Sequence, residues 1–135
     1  MNKEKLKALY IKYNLTTDDI FTHQHYIIIT RTGIEKIEAE EKIDIKYNCI
    51  KAEPNFAVVQ AFGTLNNKKM ETFGSAYKGA TFKDGNTNSW YVTEMAEKRA
   101  FSRIVLKLTG FYALGVFGED ESEDFKKKNL TIKKQ

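Results

Sequence analysis

The sequence predicts an α+β domain: an antiparallel β-meander of four to five strands packed on one long helix, with a short N-terminal helix. Three observations carry this. Ile43, Ile45, Tyr47 and Cys49 alternate with Asp44, Lys46 and Asn48, the period of a strand with one apolar and one polar face. Phe56 to Gly63 is a second β-prone run, and Asn66-Asn67 separates it from a partner at Lys69 to Tyr77. Asparagine tolerates positive φ, so the pair fits a two-residue hairpin turn. The segment from Trp90 to Thr109 is the strongest helix, with Gly110 at the position that ends it.

The elements follow in order. Leu6, Leu9, Tyr10 and Tyr13 form one apolar stripe, predicting a helix over 3–13. Thr16-Thr17-Asp18-Asp19 offers caps for a brief helical turn ending near Phe21. Tyr26 to Thr30 reads as a strand, bounded by an Arg31-Thr32-Gly33 turn and followed by a strand from Ile34 to Glu38. Ala52-Glu53-Pro54-Asn55 is a turn. Residues 78–89, rich in glycine and asparagine, form a loop that carries Lys78 and Lys83. Asn88 or Ser89 caps the long helix. Glu94 and Glu97 near its start and Lys107 near its end suit the helix dipole. Phe111 to Phe117 is a short strand or a packed loop. The domain spans 1–118. Residues 119–135 are a tail, acidic at 119–124 (EDESED) and basic at 126–134 (KKKNLTIKK).

At 135 residues, 41% hydrophobic and 30% charged, the chain is one globular domain with a real core. It has no apolar stretch long enough to span a membrane and no signal-peptide pattern. Cys49 stands alone in an apolar strand pattern, so it reads as a buried structural thiol. A cytoplasmic, reducing setting is expected. The net charge of +4 says little alone.

The distribution of that charge says more. Phe101, Ile104, Val105 and Leu108 form a core-facing stripe on the long helix, while Arg99, Arg103 and Lys107 stack at intervals of four on another side. Stacked like charges repel by about 0.2–0.5 kcal/mol per pair. They call for an anionic partner such as a phosphate backbone. Alternatively, Glu94 and Glu97 pair with Lys98 and its neighbours, and the face is merely solvated. Val92, Met95, Ala96, Ala100 and Leu106 lie on the arginine side as well. A helix apolar nearly all round is buried on both sides, which points to a neighbouring subunit.

Single-strand binding pairs cations with aromatic platforms. Tyr77, Phe82, Trp90 and Tyr91 flank the loop and helix start and are the candidates for stacking on bases; packing is the alternative for each. Most phenylalanines are assigned to the core. Lys68 and Lys69 at a hairpin tip, with Lys46 and Lys51, are candidates for the phosphate backbone, as are Lys78 and Lys83 in the loop and Lys98 on the helix; the alternative is that they are simply solvated. His23 and His25 would share a face of one strand, but nothing completes a metal site, and no cofactor is expected. Asp44-Ile45-Lys46 has the acid-x-Lys form of a nuclease strand, with Glu53 or Glu71 as partner. A metal-dependent nuclease and a phage protein-interaction module are therefore the alternatives.

Glu71-Thr72-Phe73-Gly74-Ser75-Ala76, then a loop, then Tyr91 to Arg103 (YVTEMAEKRAFSR) resembles the phage single-strand-annealing proteins. These are the Erf and Sak-like recombinases, related in fold to the eukaryotic annealing protein of radiation repair. The helix form A-x-x-R-A-x-x-R is filled by Ala96, Arg99, Ala100 and Arg103, and the likeness covers residues 56–118. The chain is shorter than many members and has little C-terminal region for recruiting partners. The resemblance implies ATP-independent annealing of single-stranded DNA and assembly into a ring or filament. It also implies projecting arginines in a basic groove between hairpin and helix, and a recombination or single-strand-binding protein as a possible partner, in the bacterial host cell if the chain is phage-encoded. No G-x-x-x-x-G-K-[ST] phosphate loop occurs, in keeping with the absence of an ATPase.

Overall fold

A computed structural model describes residues 3–78 and 91–121. Helix α1 (Lys3–Lys12) is followed by a hairpin, β1 (Ile20–His23) and β2 (Tyr26–Ile29), then helix α2 (Arg31–Glu41). Three ten-residue strands come next: β3 (Asp44–Glu53), β4 (Phe56–Leu65) and β5 (Lys68–Tyr77). Helix α3 (Val92–Leu108), a 3-10 turn (Tyr112–Leu114), the short strand β6 (Val116–Gly118) and a second 3-10 turn (Glu119–Glu121) complete the described fold. No described helix is long and apolar enough to cross a membrane.

The fold class is α+β, with a long helix on a sheet, but the meander has three strands rather than four or five. They lie in the order β3-β4-β5, all antiparallel. A second three-stranded sheet, β1-β2-β6, is mixed: β1 and β2 are antiparallel, whereas β6 runs parallel to β2 with Ile27 opposite Val116.

The segment 34–38 is helix, not strand. Thr30 caps it by accepting a hydrogen bond from the Gly33 amide at 3.1 Å. Ile34 and Ile37, spaced for a helical face, are fully buried. The remaining Glu, Lys and Ala residues favour helix. The turn expected before Phe21 ends instead in β1. Asp19 closes that turn, its carboxylate accepting from the Thr16 amide and from Lys36 at 2.7 Å. The predicted stripe of α1 is confirmed: Leu6 and Tyr13 are buried, and the rings of Tyr10 and Tyr13 lie on Phe111. The Asn66-Asn67 hairpin forms as expected, with Asn66 at φ 56° and Leu65 paired to Lys68. Gly110, at φ 90°, ends α3 as the sequence predicts.

Helix α3 is the middle layer. One side sits on the meander, over a floor of small residues: Ala57, Ala61 and Gly63 from β4, Thr72, Gly74 and Ala76 from β5. The approach is closest at Gly74, where a Cβ would fall 2.2 Å from the Ala96 carbonyl oxygen and 2.4 Å from the Ala100 amide nitrogen. The opposite side of α3 meets β6, where Ser102 abuts Gly118, and α2 packs beside it. The all-round apolarity of α3 is therefore satisfied within the chain, and it gives no reason to invoke a neighbouring subunit.

Candidate nucleic-acid interface

With α3 covering one side of the meander, the other side faces outward. The strand registers place its residues in rows: Asp44–Thr64–Lys69, Lys46–Phe62–Glu71, Asn48–Gln60–Phe73, Lys51–Val58–Ser75 and Glu53–Phe56–Tyr77. Phe62, Phe73 and Tyr77 are 40%, 45% and 41% exposed. Phe62 and Phe73 are diagonal neighbours across β4 and β5, roughly 7 Å apart. Phe56 and Tyr77 face each other edge to face, with centroids at 6.1 Å. This is an open sheet carrying four aromatic rings, with Lys46, Lys51 and Lys69 among them.

Phe56, Phe62 and Phe73 are not among the stacking candidates of the sequence, which assigns most phenylalanines to the core. A signal for them exists in the alternation of β4 and β5. Ala57, Ala61 and Gly63 of β4 and Thr72, Gly74 and Ala76 of β5 fall, with Val59, on alternate positions, the side that lets a helix sit close to the backbone. The large residues between them must face the other way.

Arg99 is placed differently from the prediction. Arg99 does not project; it is 3% exposed. Its guanidinium donates to the Ser75 carbonyl at 2.8 Å and to the Asp120 carbonyl at 3.3 Å, and the Asp120 carboxylate accepts from Ser102. Arg103, half-buried, donates to the Phe73 carbonyl at 2.8 Å. Residues four apart on α3 thus hold carbonyls two apart on β5, and each arginine caps the edge strand of the sheet. The partner that the charge column requires is backbone oxygen. Lys107, next in the column, lies over the Tyr112 ring at 5.6 Å. Arg103 and Lys107 form a cationic flank beside the strand that presents Phe73. At Gly74 the β5 backbone and α3 touch, so no groove runs between the strand and the helix at that point.

The other predicted residues are scattered. Tyr77 and Lys69 belong to the outer face. Lys68, at the hairpin tip, donates to the Leu108 carbonyl at 3.4 Å, beside a cleft of about 510 Å³ lined also by Lys12, Tyr13 and Asn66. Lys98 is half-buried on α3, and Lys78 follows β5, its amide donating to the Asn55 carbonyl. Tyr91 stands at the start of α3, 70% exposed, without a side-chain capping bond. Lys83, Phe82, Trp90, the capping residues Asn88 and Ser89 and the basic run 126–134 lie outside the described residues.

Cys49 is exposed, not buried, because β3 is an edge strand whose residues are almost all solvent-facing. Tyr47, on the same strand, has its phenol pushed up to about 12 by partial burial and by Glu97 and Glu38, so it is neutral at physiological pH. His23 and His25 do not share a strand face. β1 ends at His23, Gln24 takes φ 59°, and His25 occupies the turn. The carboxylates of the nuclease reading stand apart, Asp44 and Glu53 at opposite ends of β3 and Glu71 two strands from Lys46. Among the described residues no three His, Cys, Asp or Glu side chains gather to hold a metal. No protein-family model matches the sequence, and neither a curated protein nor a solved structure is significantly similar to it, so the outer face is read from its own residues.

Proposed function

We propose that this protein binds single-stranded DNA across the outer face of the β3-β4-β5 sheet and anneals complementary strands without ATP, in phage or bacterial homologous recombination. One observation carries the reading: a sheet face, covered by no described element, with Phe56, Phe62, Phe73 and Tyr77 set among Lys46, Lys51 and Lys69. Bases stack on such rings regardless of sequence. Arg103 and Lys107 flank β5 and supply charge for phosphates. Annealing needs no bond to be made or broken. It needs repulsion between strands neutralised while base edges stay available for pairing. A flat face suits this better than a closed channel, since a second strand approaches from the open side. The recombination setting rests on the resemblance of residues 71–103 to the annealing proteins.

The test uses fluorescence anisotropy with a labelled oligonucleotide and a strand-annealing assay without ATP. Phe62→Ala and Phe73→Ala should each weaken binding by about 1–3 kcal/mol, roughly 5- to 150-fold. Neither ring is in the core, so the circular dichroism spectrum should not change. A double variant that binds and anneals like the parent would remove this face from consideration. Cleavage of the oligonucleotide with magnesium would favour the nuclease instead.

A further inference from the structure

The two edges of the β3-β4-β5 sheet are not alike. On β5 the carbonyls of Phe73 and Ser75 are taken by Arg103 and Arg99. On β3, nine of ten residues are exposed, including Tyr47 at 42% and Ile50 at 51%. β3 pairs only with β4 among the described strands. A ten-residue exposed edge carrying apolar side chains is a template for another strand. We infer that β3 pairs antiparallel with β3 of a second copy, joining two meanders into one six-stranded sheet about a twofold axis.

The choice of partner follows from the edges and the charges. Continuing the sheet head to tail would require β5 to accept β3, and the arginines occupy that edge. Pairing of β3 with itself needs only the open edge and closes after two copies. The outer face of β3 carries, in order, Asp44, Lys46, Asn48, Lys51 and Glu53. Complete antiparallel overlap would set Asp44 against Glu53 and Lys46 against Lys51, like against like. Sliding by one position along the face leaves two registers. One opposes Lys46 and Glu53, but its axis passes through the irregularity between Cys49 and Lys51, where two bulges would meet. The other places its axis at Tyr47, in the regular part of the strand; the extra residue between Cys49 and Lys51 is then taken up once in each copy, away from the axis, and Asp44 opposes Lys51 twice over. That register is the one assigned. Lys51 is 3.6 Å from Glu53 in the single chain, an exposed pair that is readily exchanged. The pairing does not depend on any ligand.

Sedimentation velocity without DNA, over a concentration series, tests it. The parent should show reversible dimerisation. Asp44→Lys and Lys51→Asp should each raise the dimer dissociation constant by about tenfold or more, because each turns two attractive cross-strand pairs into repulsive ones. The combined exchange should restore it. Opposed Cα atoms in an antiparallel pair lie about 4.5–5.5 Å apart, a separation that a disulfide spans. Tyr47→Cys in a Cys49→Ser background should therefore give a covalent dimer on mild oxidation. A parent that is monomeric throughout, a charge exchange that fails to restore association, or a Tyr47→Cys variant that does not cross-link overturns the assignment. The Phe62→Ala, Phe73→Ala double variant should sediment like the parent without DNA, so failure of the dimer and failure of the stacking face are told apart.

Discussion

Replacing Arg99 by alanine separates a residue that builds the fold from one that touches DNA. The side chain is buried and donates to two carbonyls, Ser75 at 2.8 Å and Asp120 at 3.3 Å. Hydrogen bonds from a charged donor contribute about 1.5–3 kcal/mol each, and losing both leaves their acceptors without this donor. The expected cost is about 3–5 kcal/mol, a drop of about 10–20 °C in melting temperature for a domain of this size. Far-UV circular dichroism against temperature reads it. Well below the melt, oligonucleotide affinity per folded molecule should stay within about threefold of the parent. Arg103→Ala should do the reverse. Its side chain is half-buried rather than buried, so without the bond to the Phe73 carbonyl the chain melts only a few degrees lower, and DNA binding weakens because the flank cation is gone. An Arg99→Ala chain that melts like the parent, or keeps its melting point but loses DNA, would refute this division of labour.

Three further outcomes follow from the geometry. Gly74→Ala places a methyl group against the backbone of Ala96 and Ala100. The helix must lift, at a cost of about 1–3 kcal/mol or more, measured by denaturant unfolding; an unchanged midpoint would mean that α3 is not seated there. The outer face balances Lys46, Lys51 and Lys69 against Asp44, Glu71 and Glu53, so the salt dependence of DNA binding should be shallow. If about four cations meet phosphate, the slope of log K against log salt is about −3, and a slope twice as steep would point to a larger basic surface. The Lys36 ammonium and the Thr16 amide hold the Asp19 carboxyl below the usual range. Its folded value is depressed, so its stabilisation is full above the unfolded value near 4 and fades as pH falls through the folded one. The stability gap between the parent and Asp19→Asn should narrow only in acid; a gap equally wide well below that range contradicts the assignment.

The three long strands, the Asn66 turn and the seat and end of α3 are legible in the sequence, because each leaves a local mark: period two, an asparagine pair, a terminal glycine. Ile34 and Ile37 mislead because two apolar residues three apart fit a short strand as readily as one helical turn. The capping bond from Gly33 to Thr30, which decides it, spans only three residues and is hidden when Arg31-Thr32-Gly33 is read as a turn. Ile27 beside Val116 leaves no local mark at all. The candidate site is half legible. Lys69 and Tyr77 stand among the sequence candidates and Phe62 and Phe73 do not, because aromatic residues in strands are assigned inward by default. Arg99 looks like a ligand residue because its true partners are backbone carbonyls, which no side-chain pattern displays.

The parallel pairing of β2 with β6 bears on the order in which the molecule assembles. Setting residue 27 against residue 116 closes most of the chain into one loop, whereas the contacts of β4, β5 and α3 close much shorter ones. Loop-closure entropy places the short closures first. That order predicts an early nucleus of the meander with α3 on it, with β6 docking on the β1-β2 hairpin afterwards as a cover. Until it does, the side of α3 around Ser102 faces water, and the transient species most exposed to mis-association during refolding is a molecule with its hairpins made and that cover still open.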